Sequence, residues 1–281
     1  MPAQDLIDET FDVYSSLNYE LTMQISPAGF AYCILDTIRN RYVLLRLRDP
    51  DSNKAMTAEK TEETIISDSL LAASFKKINL ILPSPKSTLV PSPLFDPGKE
   101  EEYFNLNLVK EGNEIVLYNK IAEPDAFVIF SVPEWLTGLT GKYFPSAKPC
   151  HHATPLIDQA LHLSKDEPGK LVQVHLERDY FNLLILEHGS LKFYNTFIYK
   201  NPNDIMYYLF NVCKTMGIKR EENVWFSGLT SSHDELFLQI QEYQKNIKFM
   251  FPSGNFSFSY VFNELELHRY LNLFSITGCE L

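Results

Sequence analysis

The sequence is short of positive charge. Lys and Arg number 25 against 36 Asp and Glu, which gives a formal net charge of -11 at neutral pH. Nucleic acids and anionic membranes bind basic surfaces, so this balance argues against both as main partners. The nearest approach to a basic cluster is Lys76 with Lys77, which we interpret as the solvated end of a helix.

Long apolar runs are also missing. Residues 78–82 and 126–130 fall far below the roughly 18 residues that span a bilayer. Residues 1–11 are acidic and lack the basic and apolar regions of a secretory signal. The four cysteines are far apart and form no Cys-x-x-Cys pair, which is typical of reduced thiols. We therefore expect a soluble, cytoplasmic protein with free thiols.

Short catalytic motifs are absent as well. The chain contains no Gly-x-Ser-x-Gly elbow, no Gly-x-x-x-x-Gly-Lys-Ser/Thr loop and no Gly-x-Gly-x-x-Gly fingerprint. This absence argues against the common hydrolase, P-loop and dinucleotide-binding classes. Sites assembled from distant residues leave no such trace in a sequence.

Apolar and aromatic residues are plentiful. Hydrophobic residues make up 45% of the 281 residues, with 20 Phe and 15 Tyr, which supplies a large core. Apolar and polar residues alternate over residues 19–25, the period of a half-buried strand. Residues 30–35 and 42–47 complete a meander. A helix over residues 54–77 and a strand at 78–82 are predicted to follow.

Prolines concentrate in residues 145–170 and indicate a domain boundary. We predict a first domain over residues 1–165, with extra strands, and a second over 166–281. The second domain repeats the meander, with a tight turn at His188-Gly189. It continues with a helix from Pro202, a strand, a helix from Ser232 with Glu235 in a capping box, and a last strand.

The two meanders align at a single offset of 151 residues. Ile25 falls on Leu176 and Ile34 on Ile185, and other pairs follow at the same spacing. Any two apolar strand pairs can be aligned, so the order of elements, which is the same in both halves, carries more weight than residue identity. Each half reads β-β-β-α-β-α-β.

Several local features accompany this order: Ser-Thr-Leu-Val-Pro-Ser-Pro-Leu-Phe at residues 87–95, Phe144-Pro145 before His152, His268-Arg269-Tyr270, and the closing Cys279-Glu280-Leu281. Together with the order of elements, these features resemble an uncharacterised bacterial family that has a duplicated actin-like ATPase fold, which is also ribonuclease H-like. The resemblance implies an α/β protein in which two such domains flank a cleft.

The resemblance also implies where a nucleotide would lie. Actin-like ATPases hold the phosphates between two hairpin turns that read roughly Asp-x-Gly, in which glycine lets backbone N–H groups approach. The first turn here, residues 26–29, lacks the carboxylate and has Pro27 in place of a donor; the second, 177–180, lacks glycine. A third turn, after the fourth strand of the second half, keeps one glycine, which is also common in ordinary turns. The degenerate cleft would comprise Ser26, Gly29, Glu177, Asp179, Gly228 and Thr230.

Two further features have competing interpretations. Cys150, His151 and His152 could bind a metal with help from Asp158 and His162, or lie in a solvated linker, or join the domains. The aromatic-rich residues 255–274 could pack into the second domain or the cleft, or form a partner surface. Ribonuclease activity is not expected, since the first strand carries only Glu20.

The sequence therefore favours a non-catalytic actin-like protein that acts through protein contacts, a homodimer among them, or by nucleotide sensing. We expect no catalytic residue, no bound metal and no cofactor. The alternative is a divergent Mg²⁺-dependent ATPase or small-molecule kinase that binds ATP with Mg²⁺ and uses Glu177 or Asp179 to hold the metal.

Overall fold

The computed structural model describes residues 4–48, 55–167 and 169–276. The strands are β1 (Gln4–Ile7), β2 (Tyr19–Ser26), β3 (Gly29–Asp36), β4 (Arg41–Arg48), β5 (Lys77–Ile81), β6 (Ser87–Pro91), β7 (Glu114–Ile121), β8 (Ala126–Pro133), β9 (Pro149–Cys150), β10 (Lys170–Leu176), β11 (Tyr180–Glu187), β12 (Ser190–Ile198), β13 (Asn223–Gly228), β14 (Asn246–Phe249) and β15 (Ser257–Phe258). The α-helices are α1 (Ala58–Ser67), α2 (Glu100–Asn105), α3 (Glu134–Tyr143), α4 (Ala153–Asp166), α5 (Pro202–Thr215), α6 (Glu235–Gln241) and α7 (Leu271–Ser275).

Two large sheets share one strand order. The first contains β4-β3-β2-β5-β9, with β1 and β15 both pairing with β4, and the second is β12-β11-β10-β13-β14. In both, the meander strands are antiparallel and the two later strands are parallel to the first strand of the meander. The predicted plan of two β-β-β-α-β-α-β units is confirmed.

An irregularity in the ladders recurs at the predicted offset. The register between β3 and β4 shifts between Ile34 and Leu35, and that between β11 and β12 shifts between Ile185 and Leu186. These two positions are 151 residues apart. A bulge bends and twists the strand that carries it, so both meanders curve at the same point.

One helix from each half of the chain packs on the sheet of the other half. Helix α4, which follows the first sheet, packs against β10, β11 and β12, while α7, at the end of the second unit, packs against β2 and β3. The two helices also contact each other between the sheets. The opposite face of the second sheet is covered by α5 and α6, whose apolar residues share a cluster with alternate residues of β10 and β11.

The extra strands of the first half form a small sheet of their own. Strands β6, β8 and β7 pair antiparallel, in that order, and α2 packs against them. This insertion separates β5 from α3. Apolar residues of β8 join the largest core cluster, which also contains residues of α4 and the inner face of the second sheet.

Several sequence predictions are wrong in detail. The first long helix is shorter than residues 54–77, because α1 ends at Ser67 and a separate 3-10 helix covers Ser69–Ala72; residue 54 lies outside the described residues. Lys77 is therefore the first residue of β5 and Lys76 precedes it, so neither lies at a helix end. The helix predicted from Ser232 begins at Glu235, with Asp234 as its N-cap.

The C-terminal aromatic residues pack mainly on the first sheet. Phe262 and Phe274 are fully buried in a cluster with Tyr42, Leu45 and other residues of that sheet. The predicted boundary between residues 165 and 166 stays a prediction. Within the described ranges no helix has both the length and the apolar character required to cross a membrane.

Candidate functional site

The turns of the two meanders border one cavity. Ser26 pairs with Gly29 to close the β2–β3 hairpin, and the N–H of Glu177 donates to the carbonyl of Tyr180 at 2.9 Å to close the β10–β11 hairpin. Residues of both turns line a cavity of about 290 Å³ between the sheets. The structure thus brings together two of the turns that the sequence predicted to face each other.

Some of the predicted site residues line this cavity and others do not. Ser26, Gly29, Glu177 and Gly228 line the cavity, and Arg178 lies beside them, whereas Asp179 and Thr230 are not among its lining residues. The C-terminal segment supplies one wall, formed by Arg269, Tyr270, Asn272 and Leu273, and packing of residues 255–274 into the cleft was one of the sequence interpretations.

The first turn uses its polar groups internally. The N–H of Ala28 donates to Oγ of Ser26 at 3.1 Å, and Pro27 has no N–H to offer. The Pro27 carbonyl accepts from the N–H of Met56 at 2.7 Å. Because a phosphate group needs free N–H donors, these contacts leave the turn poorly suited to bind one.

The third turn is also closed on itself. Gly228 has a φ of +81°, and its neighbour Leu229 donates its N–H to the Leu176 carbonyl at 2.7 Å. The N–H of Thr230 donates to the Gly228 carbonyl, and the N–H of Ser231 donates to the Asp234 carboxylate at 2.6 Å. The close approach of β13 to the end of β10 therefore explains why residue 228 is a glycine, and no bound phosphate is needed to explain it.

Glu177 and Asp179 of the second turn make different kinds of contact. Oε1 of Glu177 lies 3.4 Å from Nε2 of His175, so this carboxylate contacts a buried imidazole. The backbone of Asp179 accepts from the N–H of Tyr199, whose hydroxyl donates to the Glu177 carbonyl. Burial, and the charges of Asp179 and Glu177 after it, raise the pKa of Tyr199 to about 12.

A buried polar chain begins at Glu177. Nδ1 of His175 lies 2.8 Å from Oγ of Ser227, and the Asn272 amide contacts Nε2 of the same ring at 3.2 Å. A carboxylate, an imidazole and a serine in contact are the residue types of nucleophilic catalysis. His175 is 1% exposed and Ser227 is fully buried, so neither side chain is open to a substrate in this structure.

Sequence reasoning did not find His175, Ser227 or Asn272 as members of one cluster. The available signal was position: His175 and Ser227 lie on β10 and β13 directly opposite each other. Polar residues in strands whose other residues are apolar indicate buried hydrogen bonds, yet the pairing of distant strands is needed to match them. Asn272 lies in the segment 255–274 that the sequence allowed in the cleft, but no local pattern pairs it with His175.

The histidine pair joins the two halves of the molecule. His151 and His152 are fully buried. Nε2 of His151 lies 3.0 Å from the Ser84 carbonyl, and Nε2 of His152 lies 2.8 Å from Oδ1 of Asn182 in the second sheet. Burial lowers the pKa of His152 to about 4 and lowers that of His151 as well, because a protonated imidazole is unfavourable away from water.

These contacts favour the interdomain interpretation of residues 150–152 over the solvated linker. In the part of the chain that the structure describes, no three His, Cys, Asp or Glu side chains converge in a way that could hold a metal ion. Nε2 of His151 instead contacts the segment between β5 and β6, and Nε2 of His152 contacts β11, so the start of α4 is tied to both halves.

Comparison with known proteins places the chain in a family. A family model described as "Protein of unknown function (DUF3822)" matches residues 8–247. The chain belongs to this family. A search of the curated proteins gave no significant match.

Solved structures show the fold of this DUF3822 protein. It is similar to a Bacteroides thetaiotaomicron protein with actin-like ATPase fold and unknown function, at a TM-score of 0.79 and 23% identity, over 86% of this chain and 94% of that one. It is also similar to a structure described as a PilM-PilN type IV pilus biogenesis complex, at a TM-score of 0.55 and 10% identity, over 93% of this chain and 99% of that one. The expected actin-like ATPase fold is confirmed.

The local features that carried the resemblance lie at separate places in the DUF3822 protein. Residues 87–95 form β6 and the 3-10 helix Ser92–Leu94 at the small sheet. Nε2 of His268 lies 2.8 Å from the Thr230 carbonyl, and this contact holds the wall of the cavity to the third turn. Residues 279–281 lie outside the described residues.

Proposed function

We propose that this protein is a non-catalytic member of its fold that acts through contacts with other proteins. The observation that carries the proposal is the hydrogen bonding of the first and third turns at the cavity. Their N–H groups at Ala28, Leu229, Thr230 and Ser231 all donate to acceptors within the protein. A nucleotide would have to displace those bonds before the backbone could hold its phosphates.

The carboxylates support the same proposal. Hydrolysis of ATP with Mg²⁺ needs acidic side chains that face the metal and its water. Glu177 is in contact with His175, and Asp179 is not among the residues that line the cavity. A divergent ATPase or kinase would require both side chains to be rearranged.

Protein binding has a precedent in the fold. One similar structure is that of PilM in complex with PilN. This likeness supports a role for the scaffold that does not depend on chemistry in the cleft. We include a homodimer among the partners that the proposal allows.

Nucleotide sensing without turnover is the second candidate. Two guanidinium groups, those of Arg178 and Arg269, belong to residues that line the cavity together with Glu177. Cations at a cavity of this kind favour an anionic ligand over a neutral one.

We also propose that the two halves arose by duplication and that the protein works in the bacterial cytoplasm. The shared strand order and the bulges 151 residues apart support duplication. The buried free thiols of Cys33, Cys150 and Cys213 support a reducing compartment.

Calorimetric titration with ATP and Mg²⁺, together with a phosphate-release assay, tests the function. We expect no turnover, in either the wild type or Glu177→Ala. Tight binding with turnover that Glu177→Ala abolishes would overturn the proposal and establish the ATPase alternative. Binding that is saturable but without turnover would identify the sensing form.

A further inference from the structure

A second cavity lies at the end of the first sheet opposite the turns. Its volume is about 300 Å³, and it lies beside the first residues of β5 and the segment that leads into β9. Lys76, Lys77 and Lys148 line it, with Asn79 and Ser146 between them and Phe75 and Ile78 as apolar walls. No carboxylate is among the residues that line this lysine pocket.

In the part of the chain that the structure describes, the three ammonium groups have no carboxylate partner. Among the described residues, no carboxylate oxygen lies within 4.0 Å of any of them, and Nζ of Lys76 donates only to Oγ1 of Thr37 at 3.1 Å. Elsewhere in the same half, Lys86 and Lys142 are paired with Glu114 and Glu62. In a chain of net charge -11, three unpaired cations around one pocket are complementary to an acidic ligand.

The pocket also borders an open strand edge. Strand β5 pairs with β2 along its length, but β9 covers only Leu80 and Ile81 on the other side. Residues 77–79 therefore have a strand partner on one side alone. Asn79 is 1% exposed, and the oxygen of its amide has no hydrogen-bond partner among the described residues. An extended main chain is the ligand that can satisfy an open edge of this kind.

Apolar side chains are exposed next to the pocket. Tyr14 is 95%, Leu17 is 68% and Ile38 is 72% exposed. They come from the 3-10 helix Val13–Asn18 and the β3–β4 turn, which are joined by the Thr37 N–H donating to the Asn18 carbonyl at 3.0 Å. Because Lys76 contacts Thr37, the β3–β4 turn lies beside the lysine pocket, and we call Tyr14, Leu17 and Ile38 the apolar patch.

We propose that this end of the first domain docks an extended acidic segment of a partner protein. Its carboxylates bind Lys76, Lys77 and Lys148, its main chain runs beside residues 77–78 of β5, and its apolar side chains cover the apolar patch. A peptide uses all three features, whereas a nucleic acid would use only the lysines and would be repelled by the acidic remainder of the surface. The inference rests on the proposed function, since it names the surface and the chemistry of the partner.

Selection from a displayed random peptide library against the full chain tests the proposal. We expect the captured peptides to be enriched in Asp and Glu alternating with apolar residues. Their affinity should fall by about tenfold or more for Lys77→Glu with Lys148→Glu, since two attractive pairs become repulsive. The matched control is Lys192→Glu with Lys200→Glu, which changes the net charge equally at exposed lysines of the second domain and should leave binding unchanged.

A second variant tests the apolar patch. Tyr14→Ser with Ile38→Ser removes two exposed side chains and should weaken the same peptides several-fold without changing the unfolding midpoint. Enrichment of peptides without acidic residues, or equal binding to the wild type and the Lys77→Glu, Lys148→Glu variant, would overturn the proposal.

Labelled oligothymidylate is measured in parallel. If it binds with the same dependence on Lys77 and Lys148, the pocket serves nucleic acid and the proposal is wrong. Failure of this proposal leaves the ATP experiment unaffected, because that experiment reports on the cavity between the turns. The two ideas can therefore fail separately.

Discussion

Gly228 lies against the end of β10 so closely that a Cβ atom at this position would stand 2.0 Å from the carbonyl oxygen of Leu176. That oxygen accepts from the N–H of Leu229, so the glycine and the hydrogen bond depend on each other. This contact holds the third turn in the form that leaves its donors engaged.

Gly228→Ala should therefore be strongly destabilising. The backbone carbonyl cannot yield as a side chain could, and the positive φ adds strain, so we expect a loss of about 3 kcal/mol or more in the free energy of unfolding. Gly98→Ala is the matched control, because Gly98 has a φ of +92° and nothing within 4 Å of its Cβ position. It should lose only about 1 to 2 kcal/mol by urea denaturation. Equal losses would mean that the contact with Leu176 is unimportant.

The buried serine gives a second prediction. Ser227→Ala leaves Nδ1 of His175 without its partner in a place that water cannot enter, which should cost about 1 to 3 kcal/mol in unfolding free energy. Ser67→Ala, at an exposed hydroxyl that donates to the Thr64 carbonyl, should change stability by less than about 0.5 kcal/mol. If Ser227→Ala is as mild as Ser67→Ala, the polar chain from Glu177 to Ser227 does not contribute to stability.

Stability should fall in acid because of His152. Its pKa is about 4 in the folded protein against an ordinary 6.5. Between these two pH values the unfolded chain therefore binds a proton that the folded chain does not bind. The unfolding free energy should decrease as pH falls from about 6.5 to about 4, by about 3 kcal/mol from this residue, with His151 acting in the same direction.

His152→Gln isolates this effect. Glutamine can still donate to Asn182 but does not titrate, so the variant should show a shallower decrease across that pH range in urea titrations. Identical slopes for the variant and the wild type would show that His152 is not the titrating group.

Helix α7 should contribute strongly to stability through its packing on the first sheet. Phe274 is fully buried, and its ring lies 4.8 Å from that of Tyr42 and 5.0 Å from that of Phe258. Phe274→Ala should lower the unfolding free energy by about 3 to 5 kcal/mol, since it leaves a cavity. Phe251→Ala, at a ring that is 55% exposed, should lower it by about 1 kcal/mol or less, and calorimetric melting compares the two.

Local patterns in the sequence were sufficient for the long strands. The alternation over residues 19–25 predicts β2 to within one residue, and His188 and Gly189, both with positive φ, form the tight turn that the dipeptide favours. Strands β1, β9 and β15 were missed because they have only two to four residues and are defined by the strand beside them. Chain order then placed the strands in two sheets, since each half repeats the same succession of elements.

The parts of the site that the sequence missed depend on contacts between distant residues. Ser232 and Glu235 have the spacing of a capping box, yet Asp234 turns back to the N–H of Ser231 and moves the helix start to Glu235. The cavity wall at Asn272 and the bond between His152 and Asn182 join residues that are far apart in the chain. Sequence spacing alone carries no information about such pairs.

The exchange of α4 and α7 between the sheets sets an order for biosynthesis. The first sheet leaves the ribosome early, yet the surface around Tyr42 is covered only when Phe262 and Phe274, near the end of the chain, have been made. Until then its aromatic residues stay open to water and to other nascent chains. The first sheet can therefore reach its native packing only after residues 262 to 274 have left the ribosome.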